Sequence, residues 1–226
     1  LQAEGRKQVK ILQMDGSTMM TISRIRSWWN DEAGCYDLEV LDPSATVADY
    51  EQTVSKILAA PDAIRRYGDC CVACSICCGG RLSLTVVDLY RLKMGGLGIA
   101  LPLDGWVAAH GTVQRQDGCV DITLRLDDHE TCALWDRKAG LCSIYESRPL
   151  ICRTYICAPY SWRASELRGQ IVNAGEDELV RMLGLANANG GTEQPQPFAG
   201  VLDYGGVLLR DVCSDRLWRC LTSQTG

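Results

Sequence analysis

The sequence predicts an α+β fold, a small irregular domain with N-terminal strands and several short helices, gathered around cysteine. Three observations carry this. Apolar residues make up 46% and charged residues 23% of the 226, ordinary proportions for a chain that buries a core. The first forty residues alternate in the manner of strands, whereas later segments repeat at helical spacing. Thirteen cysteines are present, five of them inside "GDCCVACSICCGG" (68–80).

Taken in order, "QVKILQM" and "TMMTISRI" flank the turn signal "DGS" and read as a hairpin. "CYDLEVL" reads as a third strand, stopped by Asp42-Pro43. "SATVADYEQTVSKILAA" places Val47, Tyr50, Val54, Ile57 and Leu58 on one helical face, with Ser44 as the expected cap and Pro61 as the stop. After the cysteine run, "LTVVDLYRLK" opens on Thr85 with Asp88 three residues on, a capping box, and should end at Gly95-Gly96. The "GGLG" beyond it lacks the Lys-Ser/Thr of a phosphate loop. "DGWVAAH" reads as a helical turn and "VDITLRL" as a half-buried strand. "EDELVRMLGLANA" reads as a helix closed by "NGG", "GTEQPQP" as a loop, and "GVLLRDV" as a last strand. The expected organisation is a strand-rich portion and helix over 1–69, a cysteine-cluster metal-binding domain over 70–160, and a C-terminal helix and tail over 161–226 packed on the same domain.

Composition excludes some functions. A net charge of −5 without a basic stripe argues against nucleic-acid binding. No apolar run approaches the ~20 residues of a membrane helix. The opening residues show no basic-then-apolar signal segment; since the sequence starts at Leu1, a lost leader stays open. An odd count of thirteen in a chain long enough to bury a core disfavours a disulfide scaffold. Clustering at two-residue spacing instead suits a soft-metal site, and a reducing, cytoplasmic setting is expected with it. Thiolates select zinc, copper(I) or iron–sulfur clusters. With only two histidines, His110 and His129, the donor set must be nearly all sulfur, which disfavours a hydrolytic zinc site.

A second group lies downstream in "CALWDRKAGLCSIYESRPLICRTYIC" (132–157). Here the chain resembles the YkgJ family of cysteine-cluster proteins, a zinc- or iron-chelating domain. "CVACSICC" matches the C-x2-C-x2-C-C element, "LTVVDLYRL" the helix opening on Thr with Asp three residues on, and "CSIYESRPLICRTYIC" the third element. The resemblance covers residues 71–157. It departs at Ser75, where Gly is usual, and at Leu134-Trp135, where Phe-Leu is usual. It implies metal ligation by Cys71, Cys74, Cys77, Cys78, Cys132, Cys142, Cys152 and Cys157. Three cysteines at two-residue spacing followed by remote ones also suit a cubane, so an iron–sulfur cluster, 4Fe-4S in type, is the expected cofactor, with zinc as the alternative. Cys70, Cys213 and Cys220 are candidate additional ligands.

Neighbours Cys77 and Cys78 should diverge by ~100° on a helix, so they feed two centres, or one ligates while the other packs. Four thiolates around zinc or an oxidised cubane leave a charge of about −2. Arg148 and Arg153 bracket the third element, either to hydrogen-bond sulfurs or to pair with Asp136 or Glu146. Cys35 and Cys119 read as small buried hydrophobes, Tyr145 as core. Three classes of function remain open: an iron–sulfur protein with a redox or protein-modification role and a redox or protein partner, a zinc-stabilised structural or interaction module, and metal delivery with exchangeable binding. Flagellin lysine N-methylases carry a similar C-x2-C-x2-C-C element, which implies protein modification by analogy alone.

Overall fold

A computed structural model describes residues 23–66, 74–154, 157–185 and 196–223. The first expected hairpin lies almost wholly outside them. The chain then forms a hairpin of β1 (Ile25–Asn30) and β2 (Cys35–Val40), antiparallel with Ile25 opposite Val40. Trp29 and Tyr36 face each other directly in that register, and their rings meet edge to face at 5.0 Å, the favoured aromatic geometry.

Helix α1 (Val47–Ala59) buries Val47, Tyr50, Val54 and Ile57, as its periodicity predicts. Its cap is Thr46, not Ser44. Thr46 and Asp49 form the reciprocal capping box, while Ser44 is drawn into a turn by Asp42, whose carboxylate accepts from its backbone and hydroxyl. The Thr85–Asp88 box opens α2 (Val86–Met94), which stops at Gly95 as expected. Helix α3 (Leu103–His110) buries Trp106, whose indole N–H donates to the Leu97 carbonyl at 2.8 Å.

Strands β3 (Gly111–Gln116) and β4 (Cys119–Leu124) form a second hairpin through Asp117-Gly118, both at positive φ (51° and 82°), the geometry of the tight turns that match strand twist. Residues 82–84 line the other edge of β4: Leu84 N–H donates to the Ile122 carbonyl and Leu124 N–H to the Leu82 carbonyl, both at 2.9 Å. A minimal third hairpin joins β5 (Trp135–Asp136) to β6 (Leu141–Cys142). Pro149 then caps the single turn α4 (Leu150–Arg153).

The C-terminal part departs furthest from expectation. Helix α5 (Trp162–Met182) starts at the Ser161 cap and runs 21 residues, beginning well before "EDELVRM". It ends at Leu183, with Gly184 at φ +63°; the "NGG" expected to close it lies outside the described residues. "GVLLRDV" is not a strand: Leu209–Val212 form the short helix α6, and α7 (Asp215–Thr222) comes directly after it. Three separate two-stranded sheets and seven helices make this a mixed α+β structure among the described residues. Its buried side chains form one cluster running from Ile25 to Leu221, with Trp106, Tyr50, Tyr204 and Phe198 the largest. Helix α5 crosses it so closely that a Cβ on Gly175 would meet Thr85 Cβ at 2.6 Å. No described helix is long and apolar enough to cross a membrane.

Candidate metal centre

Strand-like pairing brings distant cysteines together. Cys74 leads into a 3-10 turn over Ile76–Cys78. Gly79 bridges to Thr131, and Cys132 N–H donates to the Cys78 carbonyl at 2.6 Å. Cys132 therefore lies beside Cys78 because the backbone is zipped there. The β5–β6 hairpin sets Cys142 opposite Trp135, and α4 presents Cys152. The outcome is a cavity of about 30 Å³ lined, among the described residues, by six thiols: Cys74, Cys77, Cys78, Cys132, Cys142 and Cys152. The rest of its wall is Leu82, Leu124, Trp135, Leu141, Ile144, Tyr145 and Arg148. Among the described residues no histidine or carboxylate lines it.

All cysteines among the described residues are free thiols. No three His, Cys, Asp or Glu side chains among the described residues stand in the close arrangement of a formed ion site; the thiols line a shared space instead of meeting at a point. The donor chemistry fits a soft metal, since among the described residues sulfur supplies the soft donors of the wall and most of the rest is apolar. The six thiols come from four separated stretches, and a tetrahedral ion or a cubane takes four thiolates.

The thiols differ electrically. Burial pushes Cys132 up to about 11, and also raises Cys142 and Cys152. Cys77 is drawn down to about 6, first by its hydrogen bond with Cys78 and then by the Arg148 guanidinium, against the opposing effect of burial. That same bond, with burial, raises its partner Cys78. Cys77 and Cys78 both line the same cavity, although they are neighbours on a 3-10 turn.

Arg148 stands where a counter-charge is useful. It lines the cavity, lowers both Cys77 and Cys142, stacks 3.7 Å above the Tyr145 ring and donates to the Tyr145 carbonyl at 2.8 Å. Tyr145 itself is 43% exposed, not core. Arg153 turns away. It pairs with Glu51 of α1 at 2.5 Å and reaches the Glu146 carbonyl at 3.2 Å, so its ion-pair partner is neither Asp136 nor Glu146.

Other expected ligands lie elsewhere. Cys157 does not line the cavity; its carbonyl accepts from Arg66 N–H. Cys213 is buried among apolar side chains, and burial pushes it up to about 12 with Arg210 as its charged neighbour. Cys220 lies on α7, its carbonyl accepting from Arg163 at 2.6 Å. Neither is among the cavity's thiols. Cys70 and Cys71 fall outside the described residues. Cys119 is exposed at the second hairpin rather than buried, and Cys35 is half-buried at the start of β2. His110 packs against Trp106 at 5.1 Å.

Two carboxylates support the site, and of the two only Asp88 falls on a motif of the sequence. Glu51 accepts from Nη1 and Nη2 of Arg91, at 2.7 and 3.0 Å, as well as from Arg153. Asp88 accepts from Leu150 N–H at 2.8 Å, from the Tyr204 hydroxyl at 2.6 Å and from Thr85 N–H at 3.0 Å. The capping box and the helix element of the resemblance both mark Asp88, but nothing nearby announces Leu150 or Tyr204 as its partners.

Residues 70–168 match the family model CxxCxxCC, described as "Putative zinc- or iron-chelating domain". That stretch holds all six cavity thiols, and it defines a cysteine-rich metal-binding domain within the chain. No curated protein and no solved structure matches this chain.

Proposed function

We propose that the chain carries an iron–sulfur cluster, 4Fe-4S in type, in a redox or protein-modification role. The observation that supports this is the cavity in which the described residues place six thiols and no histidine or carboxylate. More thiols than one zinc ion needs, on short turns and loops from separated segments, suit a polynuclear sulfur-bridged group. Cys74, Cys77, Cys78, Cys132, Cys142 and Cys152 would hold it, with Arg148 offsetting the anionic charge and donating toward sulfur. The wall reaches the surface at Leu141 and Tyr145, 45% and 43% exposed, so a redox partner has close access. When bound, the cluster supplies one-electron chemistry. The chain's own groups hold it, shield it from water through Leu82, Leu124 and Trp135, and set its electrostatic surroundings.

Zinc is the second reading, favoured by the cavity's size. A volume of about 30 Å³ holds about two water-sized guests, so one ion enters with little adjustment whereas a cubane moves the wall outward. Anaerobic purification separates the two. Brown protein with iron and acid-labile sulfide supports the first, and colourless protein with stoichiometric zinc supports the second. Cys132→Ser and Cys152→Ser should each lower the metal content; full retention in both would count against this ligand set.

A further inference from the structure

We propose that Asp88 is a positioning residue of the thiol centre: its carboxylate fixes the first turn of the helix bearing Cys152, and Tyr204 fixes the carboxylate. The inference rests on the metal-centre reading above.

The geometry is specific. Helix α4 has only four residues and no side-chain cap of its own, since Pro149 occupies the cap position. So short a helix is not stable by itself. Its first backbone N–H, on the fully buried Leu150, would be costly to leave unmet. Asp88, 62 residues earlier, meets it at 2.8 Å. A carboxylate there also complements the positive end of the turn. Cys152 comes two residues later, so the orientation of this turn decides where its sulfur points.

Asp88 is held in turn. Its second oxygen accepts from Thr85 N–H, closing the cap of α2. Tyr204, 116 residues away, donates to the first oxygen at 2.6 Å, and its hydroxyl lies 2.6 Å from Thr85 Oγ1. Tyr204 spends its one proton on Asp88, so the bond to Thr85 is donated by the Thr85 hydroxyl and the donor chain runs from Thr85 to Tyr204 to Asp88. All three side chains are buried. A neighbouring cation is Arg91, whose guanidinium lies 4.9 Å from the Tyr204 ring centroid. One carboxylate thereby ties together the capped start of α2, the Cys152 turn and the segment leading to α6. An ordinary helix cap involves only its own helix.

The test titrates reduced, metal-free full-length protein with cobalt(II) and records its thiolate charge-transfer and ligand-field bands. Asp88→Asn should bind cobalt about 10–100-fold more weakly than wild type, the usual cost of removing a group that orients a ligand, with altered bands and an unchanged far-UV spectrum. Tyr204→Phe should move in the same direction by less. Wild-type affinity and bands in folded Asp88→Asn would overturn the proposal. If Asp88→Asn does not fold, wild-type values in Tyr204→Phe would overturn it instead. No cobalt uptake by wild type would refute the metal-centre reading itself. The alkylation rate of Cys152 in metal-free protein, read by mass spectrometry, then decides about Asp88. A rise of about tenfold in Asp88→Asn, the effect of losing a charge-assisted hydrogen bond, supports the anchoring, and an unchanged rate refutes it.

Discussion

Glu51 offers a direct measure of how the scaffold supports the thiol cavity. Its carboxylate is nearly buried and accepts from Arg91 of α2 and Arg153 of α4. Glu51→Ala leaves both guanidiniums without their anion. Breaking a fully buried pair costs about 3–5 kcal/mol. Here the arginine side chains keep 24% and 30% exposure. Arg91 stays over the Tyr204 ring and Arg153 keeps the Glu146 carbonyl, so about 2–3 kcal/mol is expected after that relief. At roughly 2–4 °C per kcal/mol for a chain of this size, the melting temperature should fall by about 4–12 °C. Thermal unfolding of wild type, Glu51→Ala, Arg153→Met and the double variant closes a mutant cycle, with a coupling of about 1–2 kcal/mol. The cobalt spectrum of Arg153→Met should match wild type, because Arg153 points at Glu51 and not at sulfur. A melting shift below about 2 °C in Glu51→Ala, half the smallest fall expected, would refute this reasoning. An altered cobalt spectrum with unchanged stability in Arg153→Met would do so too, and return Arg153 to a tuning role.

Three further outcomes test other parts of the structure. Asp37 is pushed up by burial, but hydrogen bonds from Arg163, Ser161 and Leu38 N–H outweigh this and hold its carboxyl below the usual range. Its contribution is therefore present above the unfolded carboxylate value of about 3.9 and is lost as pH falls through the folded value. Denaturation midpoints of wild type and Asp37→Asn should converge on acidification, and a gap that does not change with pH would contradict the pairing. Within α5, Gly169 is exposed and an added Cβ would meet nothing within 4 Å, whereas Gly175 abuts Thr85. Gly169→Ala should stabilise by about 0.5–1 kcal/mol, while Gly175→Ala should destabilise through a steric cost of about 1–3 kcal/mol; urea unfolding measures both. Finally, Cys213→Ser should leave metal content at the wild-type level while lowering stability, because that thiol packs in apolar core away from the cavity. Loss of metal on that substitution, with the protein still folded, would place Cys213 in the centre after all.

Elements whose determinants are local are legible in the sequence. The α2 start follows from Thr85 and Asp88 alone, and the α1 face from apolar spacing, because caps and periodicity act within a turn or two. Ser44 and Thr46 compete for the α1 start because both are good caps, and only the Asp42 turn decides between them. Asp117-Gly118 between alternating residues is a strong turn signal, yet β3 is hard to read because its exposed side chains are largely polar. "GVLLRDV" reads apolar enough for a strand. In the structure Leu209 N–H is taken by the Ala45 carbonyl and the chain turns into α6 and α7, a tertiary contact that no window reveals. Spacing picks out all six cavity thiols, but it does not separate Cys152, which reaches the cavity, from Cys157, which does not. Cys152 sits on α4, whereas Cys157 lies beyond that helix, where its carbonyl meets Arg66 N–H.

The shortness of the thiol-bearing elements explains why polar contacts support so apolar a site. Thiols on turns and two-residue strands have little secondary structure to fix them, and the β5–β6 hairpin and α4 are too short to persist alone. Their placement must be borrowed from longer elements. The structure lends it through directional contacts: the Cys132–Cys78 backbone bond, the Asp88 bond to Leu150 and the Glu51 bridge between α1, α2 and α4. Nonpolar burial alone would hold the same residues near one another without choosing which sulfur faces the cavity, since it has no preferred direction. The carboxylates are therefore placed one layer behind the thiols, where they orient the segments without competing as oxygen ligands. Moving either carboxylate into the cavity wall would convert an all-sulfur donor set into a mixed one and change the metal it selects.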